Sequence, residues 1–134
     1  MVGQVIASAW VCVRRRRVLV VRAGDSDAFY LPGGKPESGE TFAVAAAREV
    51  EEEVGLTVDP DELTLFRDIV APAHNRPPGT EVRLVTFTGG KTDDEPQAAN
   101  EIAELAWFTS ADAGRCAPAI RLLLAELVAE DLID

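Results

Sequence analysis

The hydrophobic positions of the chain change their spacing several times, and each spacing predicts a different element. Short stretches that are apolar throughout, or that alternate between apolar and polar residues, are typical of β-strands. Such stretches lie at residues 4–13, 17–22, 63–70, 81–88 and 102–108, with a shorter one at 29–31 that ends before Pro32. The first two flank an arginine-rich turn, so we predict that they form a hairpin or two adjacent strands.

Two other stretches repeat their apolar residues at the spacing of one helix face. The first helix is predicted at about residues 41–54, with Glu40 or Thr41 near its N-cap and Gly55 as its left-handed stop. Its apolar stripe consists of Ala43, Ala46, Ala47, Val50 and Val54. The second helix is predicted at 118–130 and carries the apolar residues Ile120, Leu123, Leu124, Leu127 and Val128. The order of strands and helices predicts a mixed α/β fold in one domain that covers residues 1–134.

The first helix also carries several acidic residues. Glu52 and Glu53 follow Glu49 by three and four positions, and a helix turns by about 100° per residue, so all three fall on one side. Like charges at this spacing repel one another, at a cost of about 0.2–0.5 kcal/mol per exposed pair. One explanation is a divalent cation such as Mg²⁺ or Mn²⁺, which prefers carboxylate oxygens. The other is an acidic helix face that is simply solvated.

The residues that precede this helix favour the cation. Residues 33–39 read GGKPESG; we predict no regular structure there, and we expect the glycines to let other groups approach the backbone closely. Residues 34–56 follow the pattern G-x5-E-x7-R-E-V-x-E-E-x-G-L, which resembles the complete signature of the Nudix (MutT-like) hydrolases. The resemblance implies an α/β/α sandwich in which a mixed β-sheet lies between helices. It also implies a pyrophosphohydrolase that depends on Mg²⁺ or Mn²⁺.

The resemblance also gives roles to individual residues of the signature. It implies that Glu49, Glu52 and Glu53 are the candidates for binding the metal, with the backbone carbonyl of Gly33 as a further ligand. It implies that Glu49 or Glu52 acts as the general base on the attacking water. Members of the family differ on which glutamate serves, so both residues stay candidates.

Further charged residues surround this centre in the family's pattern. The resemblance implies that Arg48 takes part in catalysis by orienting a glutamate through charge-assisted hydrogen bonds, a role compatible with an ordinary ion pair one turn along the helix. It places Glu40 at the outer edge of the metal cluster. Some members use an acid from a later loop as a base or ligand, and Glu101 matches that position best, ahead of Glu104 and Glu95. An ordinary surface glutamate is the alternative for these three residues.

The signature recognises a phosphate linked to another phosphate and does not choose what is attached. Arg22, Lys35, His74 and Arg76 are the candidate substrate-binding residues, with solvated surface charges as the alternative. Members that remove oxidised guanine nucleotides use an asparagine near the last helix, where residues 117–120 read APAI. The missing asparagine argues against that role. Since the sequence lacks the extra N-terminal segment that larger sugar-nucleotide pyrophosphatases use for dimerisation, we expect a small nucleotide, of the NTP, dNTP or ADP-ribose type. The competing hypotheses are a nucleotide-binding regulatory module without turnover and an acidic structural protein without a ligand.

Composition narrows the class of partner. The 134 residues carry a net charge of −10, which argues against binding to nucleic acid polymers or anionic membranes and leaves a small nucleoside diphosphate derivative as the expected partner. Cys12 and Cys116 are far apart and in no CxxC pattern, so we expect no disulfide framework and a cytoplasmic location. The apolar run at 5–13 is too short to span a bilayer. A monomer and a homodimer are both compatible with the sequence.

Overall fold

The structure is a computed structural model that describes residues 3–134. Its strands are β1 (Gln4–Trp10), β2 (Val13–Arg14), β3 (Arg17–Ala23), β4 (Gly33–Gly34), β5 (Leu63–Pro72), β6 (Glu81–Gly89) and β7 (Ile102–Phe108). The helices are α1 (Phe42–Val54) and α2 (Pro118–Ala129), and short 3₁₀ helices cover Pro60–Glu62 and Ser110–Arg115. Within residues 3–134, no helix is long and apolar enough to cross a membrane.

The strands of the described residues form two sheets. Four strands make a mixed sheet in the order β4-β1-β6-β5, in which β1 runs parallel to β6 and the other pairs are antiparallel. The other three make an antiparallel sheet in the order β2-β3-β7. The predicted α/β fold with a mixed sheet is confirmed. The three-stranded antiparallel sheet is a second sheet that we did not predict.

The sandwich arises because the strands are buried on both faces. In β3, Val18 and Val20 lie in one apolar cluster with α2, whereas Leu19 and Val21 lie in another with α1. Trp10, at the end of β1, also lies on the α1 side. Since successive side chains of a strand point to opposite faces, the two helices cover opposite sides of the strands. The predicted sandwich is therefore confirmed, with the acidic helix α1 packed on β1, β4 and β6.

The hairpin prediction is confirmed for only part of its range. β2 and β3 form a hairpin, and the two central residues of its turn, Arg15 and Arg16, have φ angles of 52° and 61°. Positive φ at both positions is the feature of a type I′ turn, whose twist suits the flanking strands. The prediction of one strand over residues 4–13 was wrong, because β1 ends at Trp10 and pairs with β4 and β6 in the mixed sheet. The chain crosses between the two sheets at residues 11–12.

Residues 33–39, which we call the glycine loop, begin with a short strand that we did not predict. Gly33 and Gly34 form β4 and pair with Ala9 and Ser8 of β1, so the expectation of no regular structure was wrong for these two residues. A Cβ atom on Gly33 would lie 2.2 Å from the carbonyl oxygen of Ser8 and 2.7 Å from the Cα atom of Ala9. Only a residue without a side chain fits so close to a neighbouring strand. The expected close approach is thus confirmed, and it holds the loop against the sheet.

Most other boundaries are close to those predicted. β5, β6, β7 and α2 each begin and end within two residues of the expected positions. The strand predicted at 29–31 is reduced to isolated bridges that join Phe29 to Cys116 and Tyr30 to Val21. Cys116 and Cys12 are both buried and unpaired. The bridges place the segment that precedes the glycine loop between β3 and the start of α2.

Gly33→Ala is expected to lower the free energy of unfolding by about 1–3 kcal/mol, because the added methyl group would meet backbone atoms that cannot move aside. Gly114→Ala is the matched control. Apart from its two chain neighbours, no residue has an atom within 4 Å of a Cβ atom added at Gly114, and its φ is not positive. Urea unfolding of both variants measures the difference. Equal stabilities would contradict the close packing of β4 on β1.

Candidate functional site

Helix α1 carries the acidic residues, and local contacts fix both of its ends. The Thr41 hydroxyl accepts a hydrogen bond from the N–H of Val44 over 3.1 Å, which caps the first turn. Gly55 ends the helix with a φ of 71°, and its N–H donates to the carbonyl of Glu51 over 3.1 Å. The predicted N-cap and stop are confirmed. The direction of each acidic side chain therefore follows from its place in a well-defined helix.

Three carboxylates come together at this helix, and we call Glu49, Glu53 and Glu101 the carboxylate cluster. One oxygen atom from each lies within 4.8 Å of the other two. Glu49 and Glu53 are one turn apart on α1, whereas Glu101 comes from the loop that precedes β7. Glu101 therefore lies together with the two acids of the helix. The sequence had left an ordinary surface glutamate as the alternative for this residue.

Glu52 lies outside the carboxylate cluster, although it belongs to the same helix. Its side chain is 51% exposed, and one of its oxygens lies 3.4 Å from the Nη1 atom of Arg48. Neighbouring residues of a helix differ in direction by about 100°, so Glu52 turns toward solvent while Glu53 turns inward. The roles of Glu52 as a metal ligand or general base stay predictions.

Glu53 is the most buried member of the carboxylate cluster. The residue is 7% exposed, and its Oε1 atom accepts a hydrogen bond from the N–H of Gly33 over 2.9 Å. Burial is the main cause that raises the pKa of Glu53 to about 8; the charges of Glu49 and Glu101 add to it, and the Gly33 N–H opposes it. Without a cation, the fold therefore favours the neutral form of this carboxyl group near pH 7.

Glu49 is half-buried and packs against the glycine loop. Burial raises the pKa of Glu49, and the hydrogen bond and charge of Arg48 oppose that change. A Cβ atom on Gly34 would lie 2.5 Å from the Oε1 atom of Glu49. The glycine thus leaves room for a carboxylate, and the loop and the helix meet at the acidic side chain.

Arg48 binds glutamates on several sides of the carboxylate cluster. Its Nε and Nη2 atoms donate to the two carboxylate oxygens of Glu40 over 2.7 and 2.9 Å. Its Nη1 atom donates to Glu49 over 3.0 Å and lies 3.7 Å from an oxygen of Glu37. The two-oxygen pair with Glu40 fixes the plane of the guanidinium group, so that Nη1 points at Glu49. This geometry is compatible with the orienting role of Arg48, which stays a prediction.

The carboxylate cluster fits a divalent cation. Its oxygens are hard donors of the kind that Mg²⁺ and Mn²⁺ prefer, and one from each residue lies within 4.8 Å of the others. Arg48 compensates Glu49, but within residues 3–134 no arginine or lysine forms a salt bridge with Glu53 or Glu101. A buried carboxylate without a positive partner is costly, so a bound cation would supply the charge that this arrangement lacks.

A cavity of about 310 Å³ adjoins the carboxylate cluster. Glu53, Gly33, Gly34 and Lys35 line one part of its wall. Much of the remaining wall is apolar and comes from β1, β6 and the start of α2, namely Val5, Ala7, Ala9, Val82, Leu84, Ala117, Ala119 and Ile120. A largely apolar cavity with a few charged groups at its wall is typical of a small-molecule site.

Three of the four predicted substrate-binding residues line this cavity, namely Lys35, His74 and Arg76. Arg22 is not among the lining residues of the described chain. Its Nε atom donates to the Glu104 carboxylate over 3.0 Å, because the two residues are paired across β3 and β7. The structure therefore brings Arg22 to a neighbouring strand and not to the cavity.

Two contacts of His74, which lines the cavity, were not identified from the sequence. Tyr30 lines the cavity, and its ring centroid lies 6.4 Å from that of His74. The Asp27 carboxylate lies 2.7 Å from the Nε2 atom of His74 and accepts a hydrogen bond from Asn75 over 3.3 Å. Asp27 thereby ties its own loop to the loop that carries His74. Nothing in the local pattern pairs these two residues, which are 47 positions apart.

Three comparisons with known proteins agree on one family. The family model described as NUDIX domain matches residues 4–128. A MutT-like protein from Streptomyces ambofaciens is 45% identical over 60 residues, which cover 44% of this chain and 39% of that protein. The NAD-capped RNA hydrolase NudC from Mycobacterium tuberculosis is 40% identical over 83 residues, which cover 60% of this chain and 24% of that protein. The matched parts thus span well under half of the length of these relatives.

The fold is also similar to that of a solved structure. The crystal structure of a MutT NUDIX hydrolase from Burkholderia pseudomallei matches with a TM-score of 0.74 and covers 94% of this chain and 98% of that chain. The two sequences are 23% identical, so this likeness concerns the fold.

The pKa of Glu53 predicts how the stability of the metal-free protein depends on pH. This pKa rises from an ordinary value of 4.5 to about 8, so between these pH values the folded chain holds a proton that the unfolded chain has lost. The stabilisation from this group is complete below pH 4.5 and is lost as the pH rises through about 8. Each pKa unit corresponds to about 1.4 kcal/mol, so the effect on the free energy of unfolding amounts to a few kcal/mol.

Glu53→Gln stays neutral and should therefore gain stability relative to the wild type as the pH rises from 5 to 8. Thermal unfolding in EDTA across this range measures the change. Glu51→Gln, at an exposed position of the same helix, is the control and should keep a constant difference from the wild type. A pH-independent difference between Glu53→Gln and the wild type would contradict the raised pKa.

Proposed function

This chain belongs to the NUDIX domain family, and from that premise we propose that it is a Mg²⁺- or Mn²⁺-dependent hydrolase of a small nucleoside diphosphate derivative. The bond that it cleaves is the pyrophosphate linkage. The observation that carries the proposal is the contact between the carboxylate cluster and the cavity, since Glu53 belongs to both. A substrate whose pyrophosphate reaches the carboxylate cluster can place its nucleoside in the apolar part of the cavity.

The chain's own residues prepare the site for hydrolysis. Glu49, Glu53 and Glu101 would hold the cation, and the carbonyl of Gly33 would be the further ligand that the family resemblance implies. A bound cation neutralises the phosphate charge that repels water and lowers the pKa of a coordinated water. Arg48 holds Glu49 in place over 3.0 Å, and the N–H of Gly33 holds Glu53 over 2.9 Å. The ligands therefore need little rearrangement when the substrate arrives.

The proton of the attacking water goes to Glu49 or Glu52, and the structure gives the two residues different surroundings. Glu49 lies in the carboxylate cluster and is bound by Arg48. Glu52 lies outside the cluster, with a side chain that is 51% exposed. A ligand variant should lose both cation binding and turnover, whereas a base variant should lose turnover and keep cation binding. This difference identifies the base by experiment.

Glu53→Gln is expected to lower turnover by orders of magnitude and to leave the fold intact, because the buried carboxylate holds the cation. Product release from a nucleotide panel in Mg²⁺, with Mn²⁺ calorimetry in parallel, measures both properties for Glu49→Gln, Glu52→Gln and Glu53→Gln. Glu51→Gln, exposed on the same helix, is the control and should resemble the wild type. Near-normal turnover of Glu53→Gln in Mg²⁺ would end this assignment of roles.

A nucleotide-binding regulatory module without turnover is the second candidate function. The cavity supports it, because nucleotide binding alone needs only such a pocket. Three clustered carboxylates argue against it, since a binding module has no need of a base for water. Thermal stabilisation of the wild type by a nucleotide, with no product in Mg²⁺ or Mn²⁺, would favour the regulatory function.

The similarity to an NAD-capped RNA hydrolase raises RNA as an alternative substrate. The net charge of −10 opposes binding to the many phosphates of a polymer. We therefore keep a small nucleotide as the proposed substrate.

The cytoplasm stays the proposed location, and the unpaired Cys12 and Cys116 are compatible with its reducing conditions.

The cavity wall also bears on the choice of nucleobase. Apolar side chains from β1, β6 and α2 make up much of the wall, and the cations Lys35 and Arg76 come from loops. An apolar pocket distinguishes similar ligands by about 10–200-fold, whereas one built to form hydrogen bonds distinguishes them by about 10⁴-fold or more. We therefore propose that the phosphates, and not the edge of the base, dominate recognition.

Derivatives that differ only in their base should accordingly have kcat/KM values within about 200-fold of one another. Initial rates of product release, followed by chromatography, give these values when the base is varied within one class at a time, such as nucleoside triphosphates, deoxynucleoside triphosphates, dinucleoside polyphosphates or sugar nucleotides. A preference for one base of about 10⁴-fold would contradict the proposed recognition.

A further inference from the structure

A distant segment of the chain, residues 97–100, caps the C-terminal end of α1. A helix leaves its last four carbonyl groups without partners of their own. Here all four carbonyls accept a hydrogen bond: Glu51 from the N–H of Gly55 (3.1 Å), Glu52 from the side-chain amide of Asn100 (2.6 Å), Glu53 from the N–H of Ala99 (3.0 Å) and Val54 from the N–H of Gln97 (2.9 Å). Three of the four donors come from residues 97–100.

Among these donors, the amide of Asn100 is the only side chain, and it reaches across 48 positions of the chain. Asn100 has a φ of 54°, a left-handed conformation that asparagine adopts more readily than most residues. The backbone at this position is therefore turned so that the side chain faces the end of α1. The bond to the carbonyl of Glu52 fixes the position of the backbone immediately before Glu101.

The carboxylate of Glu101 follows directly after this bonded segment in the chain. It lies with Glu49 and Glu53 in the carboxylate cluster, yet Glu101 is exposed and within residues 3–134 no salt bridge holds its side chain. An exposed glutamate loses conformational freedom when it is held in one place. Because the backbone before Glu101 is already fixed beside α1, cation binding has to restrict less of the chain. The entropic cost of binding is therefore smaller.

We propose that Asn100 is a positioning residue whose bond to the end of α1 places Glu101 in the carboxylate cluster for cation binding. The inference rests on the proposed function, because it concerns the same metal centre. Asn100 does not itself contact the cation in this proposal. It acts by joining the loop that carries one ligand to the helix that carries the other two.

Asn100→Gly is the direct test, because glycine keeps the positive φ and removes only the amide. We expect this variant to weaken Mn²⁺ binding, measured by calorimetry on the whole chain, by about tenfold, and Glu101→Gln to do the same. The half-saturating Mg²⁺ concentration for turnover should shift by a similar factor, and KM for the nucleotide at saturating Mg²⁺ should stay unchanged. If Asn100→Gly only lowered the stability of the protein, the half-saturating Mg²⁺ concentration would not shift. Turnover would then also not recover at high Mg²⁺.

Asn75→Gly is the matched control for the loss of an asparagine at positive φ. Asn75 also has a φ of 54°, lies on another loop and is not a lining residue of the cavity. Its replacement should leave Mn²⁺ affinity unchanged. The double variant Asn100→Gly/Glu101→Gln should bind Mn²⁺ no more weakly than Glu101→Gln alone, because a residue that acts through Glu101 has nothing left to position.

The outcomes separate this inference from the proposed function. Unchanged Mn²⁺ affinity in Asn100→Gly, or losses that add in the double variant, would overturn the role of Asn100 and leave the metal centre in place. Unchanged affinity in Glu101→Gln would overturn both the role of Asn100 and the place of Glu101 in the centre. Cation binding without hydrolysis of any nucleotide would reject the proposed function alone.

Asn100→Asp serves as the second variant if Asn100→Gly does not fold, because aspartate tolerates the same backbone conformation. Its added negative charge would by itself favour a cation. Weaker Mn²⁺ binding in Asn100→Asp would therefore support a displaced Glu101. Equal or tighter binding would overturn the proposal.

Discussion

The closeness of three carboxylates is the constraint on which the rest of the site depends. One oxygen from each of Glu49, Glu53 and Glu101 lies within 4.8 Å of the others, and Glu53 is 7% exposed. Burial, and to a smaller extent repulsion between the carboxylates, opposes ionisation here, which is why the pKa of Glu53 rises to about 8. Groups with such strongly raised pKa values are concentrated at functional sites. Arg48 and the N–H of Gly33 compensate part of this cost from two sides.

The glycine loop connects the two halves of the site. Two acids of the carboxylate cluster, Glu49 and Glu53, belong to α1 on one face of the mixed sheet, whereas Ala9 and Leu84 of the cavity wall pack with α2 on the other face. β4 is the edge strand between them, and it consists of Gly33 and Gly34 alone. The N–H of Gly33 binds the Glu53 carboxyl group, and both residues line the cavity. The absence of side chains in β4 permits the pairing with β1 and the approach of Glu49.

The sequence predicts those parts of the site whose signals are local. The ends of α1 and most of its apolar stripe lie within one continuous stretch, so capping and spacing rules were sufficient for them. The same rules placed Glu52 with Glu49 and Glu53 and left Ala45 out of the stripe, whereas Glu52 lies outside the carboxylate cluster and Ala45 is buried. The parts that it did not predict depend on pairing between distant residues. The contacts of Asp27 with His74 and of Asn100 with the carbonyl of Glu52 join positions 47 and 48 apart. Likewise, the apolar runs predicted the strands, but not that β1 pairs in parallel with β6.

The position of the acids at the C-terminal end of α1 adds to the need for positive charge. The C-terminus of a helix carries a partial charge of about −0.5, and the last turn of α1 contains acids and no basic residue. Two different groups relieve this excess. The donors of residues 97–100 satisfy the carbonyls, and a cation would neutralise the carboxylates. One segment takes part in both, because Asn100 completes the cap and the next residue, Glu101, is the proposed ligand for the cation. The segment that caps the C-terminal end of α1 therefore also brings the third carboxylate to the acidic side of this helix.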